Sequence, residues 1–181
     1  MAKGEGGERV IGMKQKKDRI LADVFAKYPS VFQLWARRSS FVTHTDTPWS
    51  SLRKDISQSR LALVTTGGVH LITQVPFDMN DPAGDPTFRE IPAASDPSDL
   101  TITHNYYDHS DADKDINTVF PIGRIDILRQ KGEIGSVNLR HFSFMGHIKP
   151  PHRDNLIKET APRVAEYLIA DGVDVAILTP A

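Results

Sequence analysis

The run Leu61-Ala62-Leu63-Val64, closed by Thr65-Thr66-Gly67-Gly68, constrains this chain more than any other feature. Four consecutive apolar residues leave no face for solvent. Stopped by glycines, such a run is a strand buried on both sides, as in the centre of a parallel sheet. A second run of this kind, Val173–Leu178, follows a long amphipathic segment that ends at Asp171-Gly172. Leu156, Ile157, Val164, Ala165, Leu168 and Ile169 are expected to face inward from that segment, and Pro162 predicts a kink or a restart after Thr160. A helix is expected over Ile122–Lys131, closed by Gly132. Further strands are expected at Asp99–His104 and near Asn138–Phe144. Strands alternating with helices argue for an α/β fold with a mostly parallel, flavodoxin-like sheet over residues 60–181.

Residues 1–59 read differently, as a basic helical arm and linker. Glycines 4, 6, 7 and 12 predict a mobile start over residues 1–12. Ile20, Leu21, Val24, Phe25 and Tyr28 recur at helical spacing up to Pro29. Ser30 with Gln33 then reads as a capping box for a second short helix carrying Val31, Leu34 and Trp35. Leu21, Val24, Phe25, Leu34 and Trp35 are expected to pack on a surface. Residues 1–60 hold 12 Lys/Arg against 6 Asp/Glu, and residues 61–181 hold 10 against 17. A basic arm can contact nucleic acid, but no RNA-binding or helix-turn-helix signature accompanies it, and the acidic body repels phosphate. No nucleic-acid partner is expected. The apolar runs fall far short of the roughly 18 residues that a membrane span needs, and the N-terminus lacks an apolar signal segment. A cytoplasmic location without membrane contact is the default.

Zero cysteines among 181 residues remove disulfides, thiolate-bound metals and a thiol nucleophile from the chemistry available within them. Stretch 74–98, rich in Pro, Asp and Gly, reads as a long loop of the kind that usually carries function. The densest polar stretch is 104–115. Asp111, Asp113 and Asp115 imitate the start of a calcium loop, but Ile116 and Ile122 stand where Gly and Glu are required. The aspartates are instead expected to cap the following turn. A metal centre of His104, His109 and an aspartate lacks any fixed ligand spacing, so no metal is expected. The Gly67-Gly68 pair can bring backbone close to a ligand or form an anion nest; it can also be a tight turn. His141 lies within an apolar pattern and reads as a satisfied core histidine, whereas His147 follows the turn and can reach a site. No Gly-x-Ser-x-Gly elbow is present. Strand-end reasoning predicts that His70, His104, Tyr107, Asp108 and His147 approach one another at the carboxyl ends of adjacent strands.

Five segments, in order, resemble one family. Leu63-Val64-Thr65-Thr66-Gly67-Gly68-Val69-His70-Leu71 is similar to the first strand and turn of the selenoprotein B family, the substrate-reducing subunits of glycine, sarcosine, betaine and D-proline reductases. Asp85-Pro86-Thr87-Phe88-Arg89-Glu90-Ile91-Pro92 resembles its D-x-(S/T)-F-R-x-I segment, and Lys114-Asp115-Ile116-Asn117-Thr118-Val119-Phe120-Pro121 its K-D-I-N-x-x-F-P segment. Arg140–Gly146 resembles its H-x-x-F-M-G strand, and Asp171–Thr179 the strand leading to the redox residue. The layout is nearest to the D-proline reductase type of subunit.

The resemblance implies reductive C–N cleavage of an amino acid or related amine with a thiol as electron donor. It implies a selenolate or thiolate nucleophile, and a pyruvoyl group on a proprotein-derived partner subunit rather than a cofactor in this chain. With it, His70, His104, Asp108 and His147 become the candidate catalytic residues. Gly67, Gly68, Tyr107, Asn117 and Met145 become the candidate substrate-binding residues. In the family the redox residue follows the strand that ends here at Leu178-Thr179. The expectation is therefore a C-terminally incomplete domain, inactive as it stands, with an apolar patch exposed beside Val173, Val175 and Ile177 and a reading frame continuing past a UGA or Cys codon. Thr118 also departs from the Cys frequent in relatives. A non-redox binding or scaffold subunit and a His/Asp metal-dependent hydrolase are the alternatives. The substrate and homo-oligomerisation stay open.

Overall fold

The computed structural model describes residues 20–21, 24–25, 27–38 and 49–180. The expected mobility of residues 1–12 lies outside them. The chain divides into two units, residues 1–51 with 105–108, and residues 52–104 with 109–181.

In the first unit, helix α1 (Pro29–Arg38) begins on a proline, whose missing N–H is no loss in a first turn. Phe25, Phe32 and Trp35 gather with ring centroids 5.4–5.8 Å apart. Within this unit Leu21, Leu34 and Trp35 are 49%, 54% and 47% exposed, whereas Val24 and Phe25 are half-buried.

The second unit is a mixed α/β structure. Strand β1 (Arg60–Thr65) is its axis. Strand β7 (Val175–Thr179) pairs with it in parallel along Leu61–Thr65. The other edge of β1 meets two successive parallel segments, β5 (Ser136–Val137) at its start and β6 (Arg140–Ser143) at its end. Strand β3 (Arg89–Pro92) adds to β6 in antiparallel register. Taken as first, second and third, the parallel strands β1, β6 and β7 lie in the order 2-1-3, the order with which a flavodoxin-type sheet begins.

Where β5 gives way to β6, the ladder is repaired by a side chain. Asn138 N–H donates to Leu61 O at 2.7 Å, and Leu63 N–H donates to His141 Nδ1 at 3.1 Å. A ring nitrogen that accepts a backbone N–H carries no proton, so the proton of His141 sits on Nε2. That atom is buried without a partner, near the Phe120 ring. His141 is therefore a core histidine, as expected, but a half-satisfied one.

The two sheet faces carry separate cores. Leu61, Leu63, Ile91, Phe120 and Ile134 pack with helix α2 (Ile122–Gln130) through Ile122 and Ile125. Helix α2 stops at Gly132, whose φ of 72° only glycine adopts cheaply. On the other face Phe142 and Phe144 meet Val164, Leu156, Tyr167 and Leu168 from a helical segment in three parts, α3 (His152–Asn155), a π-helical turn (Leu156–Thr160) and α4 (Ala161–Ala170). The restart after Thr160 is thus observed, with a π turn where Pro162 withholds its N–H. Ile157 and Ile169, expected inward, are 60% and 77% exposed, and Ala165 is exposed too; the extra residue of the π turn brings Leu156 rather than Ile157 into line with Val164.

Three further expectations are corrected. Stretch 74–98 is not one loop, for it contains β3. The strand expected at Asp99–His104 is β4 (Leu100–Ile102), and it lies outside the main sheet, in an antiparallel ribbon with β2 (Val69–Leu71). The exposed apolar surface of β7 is not beside Val175 and Ile177, which pack on the α2 core. Side chains alternate along a strand, so the open face carries Leu178, 71% exposed.

Candidate functional site

The carboxyl ends of β1, β6 and β7 lie together, because parallel pairing gives all three strands one direction. The chain leaves β1 for β6 on one side and passes from β6 to β7 on the other. Such a reversal opens a crevice beyond the strand ends, the usual ligand position in open α/β sheets.

Gly67 and Gly68 tie this end together. Gly67 bridges Met145. Gly68 N–H donates to Phe144 O at 2.9 Å, and Gly68 O accepts from Thr103 N–H at 2.9 Å, joining the main sheet to the β2–β4 ribbon. Gly68 has φ 70°, and a Cβ there would lie 2.6 Å from Thr103 O and 3.0 Å from His104 Cβ. Gly67 N–H donates to Thr65 Oγ1 at 3.0 Å. Both amides are thus engaged within the protein, and the pair is a main-chain junction rather than an open anion nest.

The junction delivers His104 to the turn after β6. Gly146 N–H donates to His104 Nε2 at 3.1 Å, which leaves the ring proton on Nδ1. Burial, reinforced by nearby His147 and His109, lowers the His104 pKa to about 4, so the ring is neutral at neutral pH. His147 follows Gly146 and is half-buried, with its Nε2 buried. Met145 is fully buried, and its Sδ accepts Asp85 N–H at 3.1 Å. Gly67, Gly68, His104, Met145 and His147 are thereby brought into one neighbourhood.

The remaining candidates have other positions. His70 Nδ1 lies 2.8 Å from Leu71 O, and its Nε2 2.8 Å from Thr103 Oγ1, which fixes the ring inside the ribbon. Asn117 Oδ1 accepts Gly123 N–H at 2.9 Å and caps α2, where Pro121 offers no side-chain cap. Tyr107 and Asp108 group with the first unit. His109 Nδ1 faces Asp113 at 2.8 Å. Among the described residues no three His, Cys, Asp or Glu side chains converge to hold a metal ion. A cavity of about 430 Å³ lies elsewhere, between β4 and residues 112–116.

Two threonines complete the strand ends. The hydroxyls of Thr65 and Thr179 both reach Val119 O, at 2.9 and 2.7 Å, and Thr66 N–H donates to Thr179 O at 3.0 Å. The loop before α2 is thereby fixed over the ends of β1 and β7. Sequence reasoning missed this pair. Its signal was a threonine closing each buried apolar run.

Comparison with known proteins adds two findings. A model of the glycine/sarcosine/betaine reductase selenoprotein B family matches residues 43–181. The D-proline reductase subunit gamma of Acetoanaerobium sticklandii is 34% identical over 140 residues, covering 77% of this chain and 56% of its own length. The chain thus spans about half the length of the curated relative it matches. No solved structure matches it significantly.

Proposed function

We propose, on the premise that this chain belongs to the glycine/sarcosine/betaine reductase selenoprotein B family, that it forms part of a subunit that cleaves a C–N bond reductively. Two thiols supply two electrons and two protons. The carbon that loses nitrogen gains hydrogen, the nitrogen departs from that carbon protonated (as a free amine, or still tethered when a ring is opened), and the thiols end as a disulfide. The nucleophile that attacks the carbon is not among these residues, which contain no cysteine. A pyruvoyl group on a partner subunit would supply an electrophilic carbonyl for the substrate amine.

The observation that carries the reading is the meeting of His104 and His147 at the strand ends, within a chain of this family. His104, neutral and protonated on Nδ1, acts as a hydrogen-bond donor rather than a source of charge. Protonation of the leaving amine falls to His147, the less buried residue of the pair, although its Nε2 is itself buried. Gly67, Gly68 and Met145 shape the wall behind them. Because the relative is named for D-proline, D-proline is the first substrate to test. The test is substrate-dependent thiol oxidation by the full-length gene product with its pyruvoyl-bearing partner, across D-proline, glycine, sarcosine and betaine. Oxidation with one of them supports the reading. A bound amine with no thiol consumed favours the alternative of a non-redox binding subunit, which the absence of cysteine from these residues also suits.

A further inference from the structure

The segment Asp85–Ile91 resembles a family motif, yet none of its residues enters the chemistry above. Its side chains are wired into the loop before β3. The Asp85 carboxylate accepts Thr87 N–H at 2.8 Å, Thr87 Oγ1 at 2.5 Å and Asp78 N–H at 3.1 Å. Burial alone would raise its pKa, but these hydrogen bonds and the Arg89 charge outweigh burial and hold it below the ordinary value. Arg89 donates to Val75 O at 2.7 Å and to Pro76 O at 3.0 Å, and its guanidinium lies 4.3 Å from the Phe77 ring centroid. The two ends of the loop are thus fastened to each other.

The fastened loop lies against the turn that carries the site. Gly84 has φ 87°, and a Cβ there would fall 1.7 Å from His147 O. Lys149 N–H donates to Ala83 O at 2.8 Å, His152 Nε2 lies 2.9 Å from Asp81 Oδ2, and Asp85 N–H reaches Met145 Sδ. Contacts therefore reach Met145, His147 and Lys149 from one side, while His104 holds Gly146 from the other.

We propose that this loop is a positioning device, in which Asp85 and Arg89 hold Gly84 against the His147 carbonyl and so fix the Met145–His147 turn relative to His104. Gly84, Asp85 and Arg89 are positioning residues, since none needs to touch substrate. The consequence for substrate rests on the reductase reading; the structural role does not.

Hydrogen exchange on the full chain tests the device directly. In Asp85→Asn, the amides of Gly146 and Lys149 are expected to lose protection by about tenfold or more, while those of Leu63 and Val64 in β1 change by less than about twofold. Gly84→Ala is expected to do the same more strongly. If it does not fold, Asp85→Asn decides alone. Unchanged protection at Gly146, or an equal loss throughout β1, overturns the proposal. In the assembled reductase, Asp85→Asn is expected to lower kcat about tenfold with KM nearly constant, since the turn carries the proton donor. Unchanged kcat there also overturns the positioning role. No turnover by the unsubstituted protein counts against the reductase reading and leaves the exchange result to stand.

Discussion

Single residues at the strand ends are held in states that the sequence does not display. His104 and His141 both accept a backbone N–H, and burial lowers both pKa values to about 4. An ordinary histidine in the unfolded chain titrates near 6.5. The unfolded state therefore binds more protons between these values. Stability is complete above pH 6.5 and falls as pH drops toward 4, by about 3 kcal/mol for each histidine at the acid limit. Denaturant titrations between pH 7 and 4 should show this loss, and His141→Gln should remove part of it. Gly68→Ala is expected to destabilise by about 2–3 kcal/mol, from the positive φ and from contact with Thr103 O. Thermal unfolding measures it, and an unchanged midpoint would mean that the junction yields easily. His147 was legible as a site candidate because it follows a strand and a glycine. The internal duties of Gly67, Gly68 and Met145 were not, since each depends on an atom more than 35 residues away in sequence or on a register that only the fold sets.

Elements were legible in proportion to their length. Strands β1 and β7 showed as unbroken apolar runs, and α2 and α4 as periodic stretches with a glycine or a proline at a boundary. Strands β2 and β4 have three residues each, too few for any period to register. Strand β3 was hidden because its Pro92 and the prolines before it read as loop residues, yet an edge strand tolerates proline. Interactions between elements follow the same rule. Asn117 fastens α2 from six residues upstream, and Asn117→Ala should cost about 1 kcal/mol, as loss of a helix cap does. At the opposite end of the sheet Arg140 pairs with both oxygens of Asp171 at 2.7 and 2.9 Å, and reaches Glu90 at 3.0 Å. These hydrogen bonds, with one from Asn138 Nδ2 to Asp171 Oδ2 at 2.9 Å, hold Asp171 below the ordinary carboxylate value, and fasten β6 to the end of α4.

At the scale of the whole molecule, the alternation of strands and helices announced an α/β fold, but not the 2-1-3 order that brings the ends of β1, β6 and β7 together. Spatial order is set by which strands meet across a hundred residues of chain, and local patterns carry no record of it. The ordered motifs pointed to the family, and the fold gives them a physical meaning. One holds the glycine junction, one fastens a loop, one caps a helix, one leads into the turn with His147, and one ends in β7. The most direct test of the account is the kcat of the assembled reductase with His147→Gln, measured beside the unsubstituted protein under saturating amine and thiol. The account predicts C–N cleavage, read as free amine or as the ring-opened amino acid from D-proline, matched by thiol oxidation in the unsubstituted enzyme, and a fall in kcat of about 10²-fold or more in the variant, with its unfolding midpoint unchanged. Equal kcat in the two proteins, or no amine-dependent thiol oxidation in either, would contradict it.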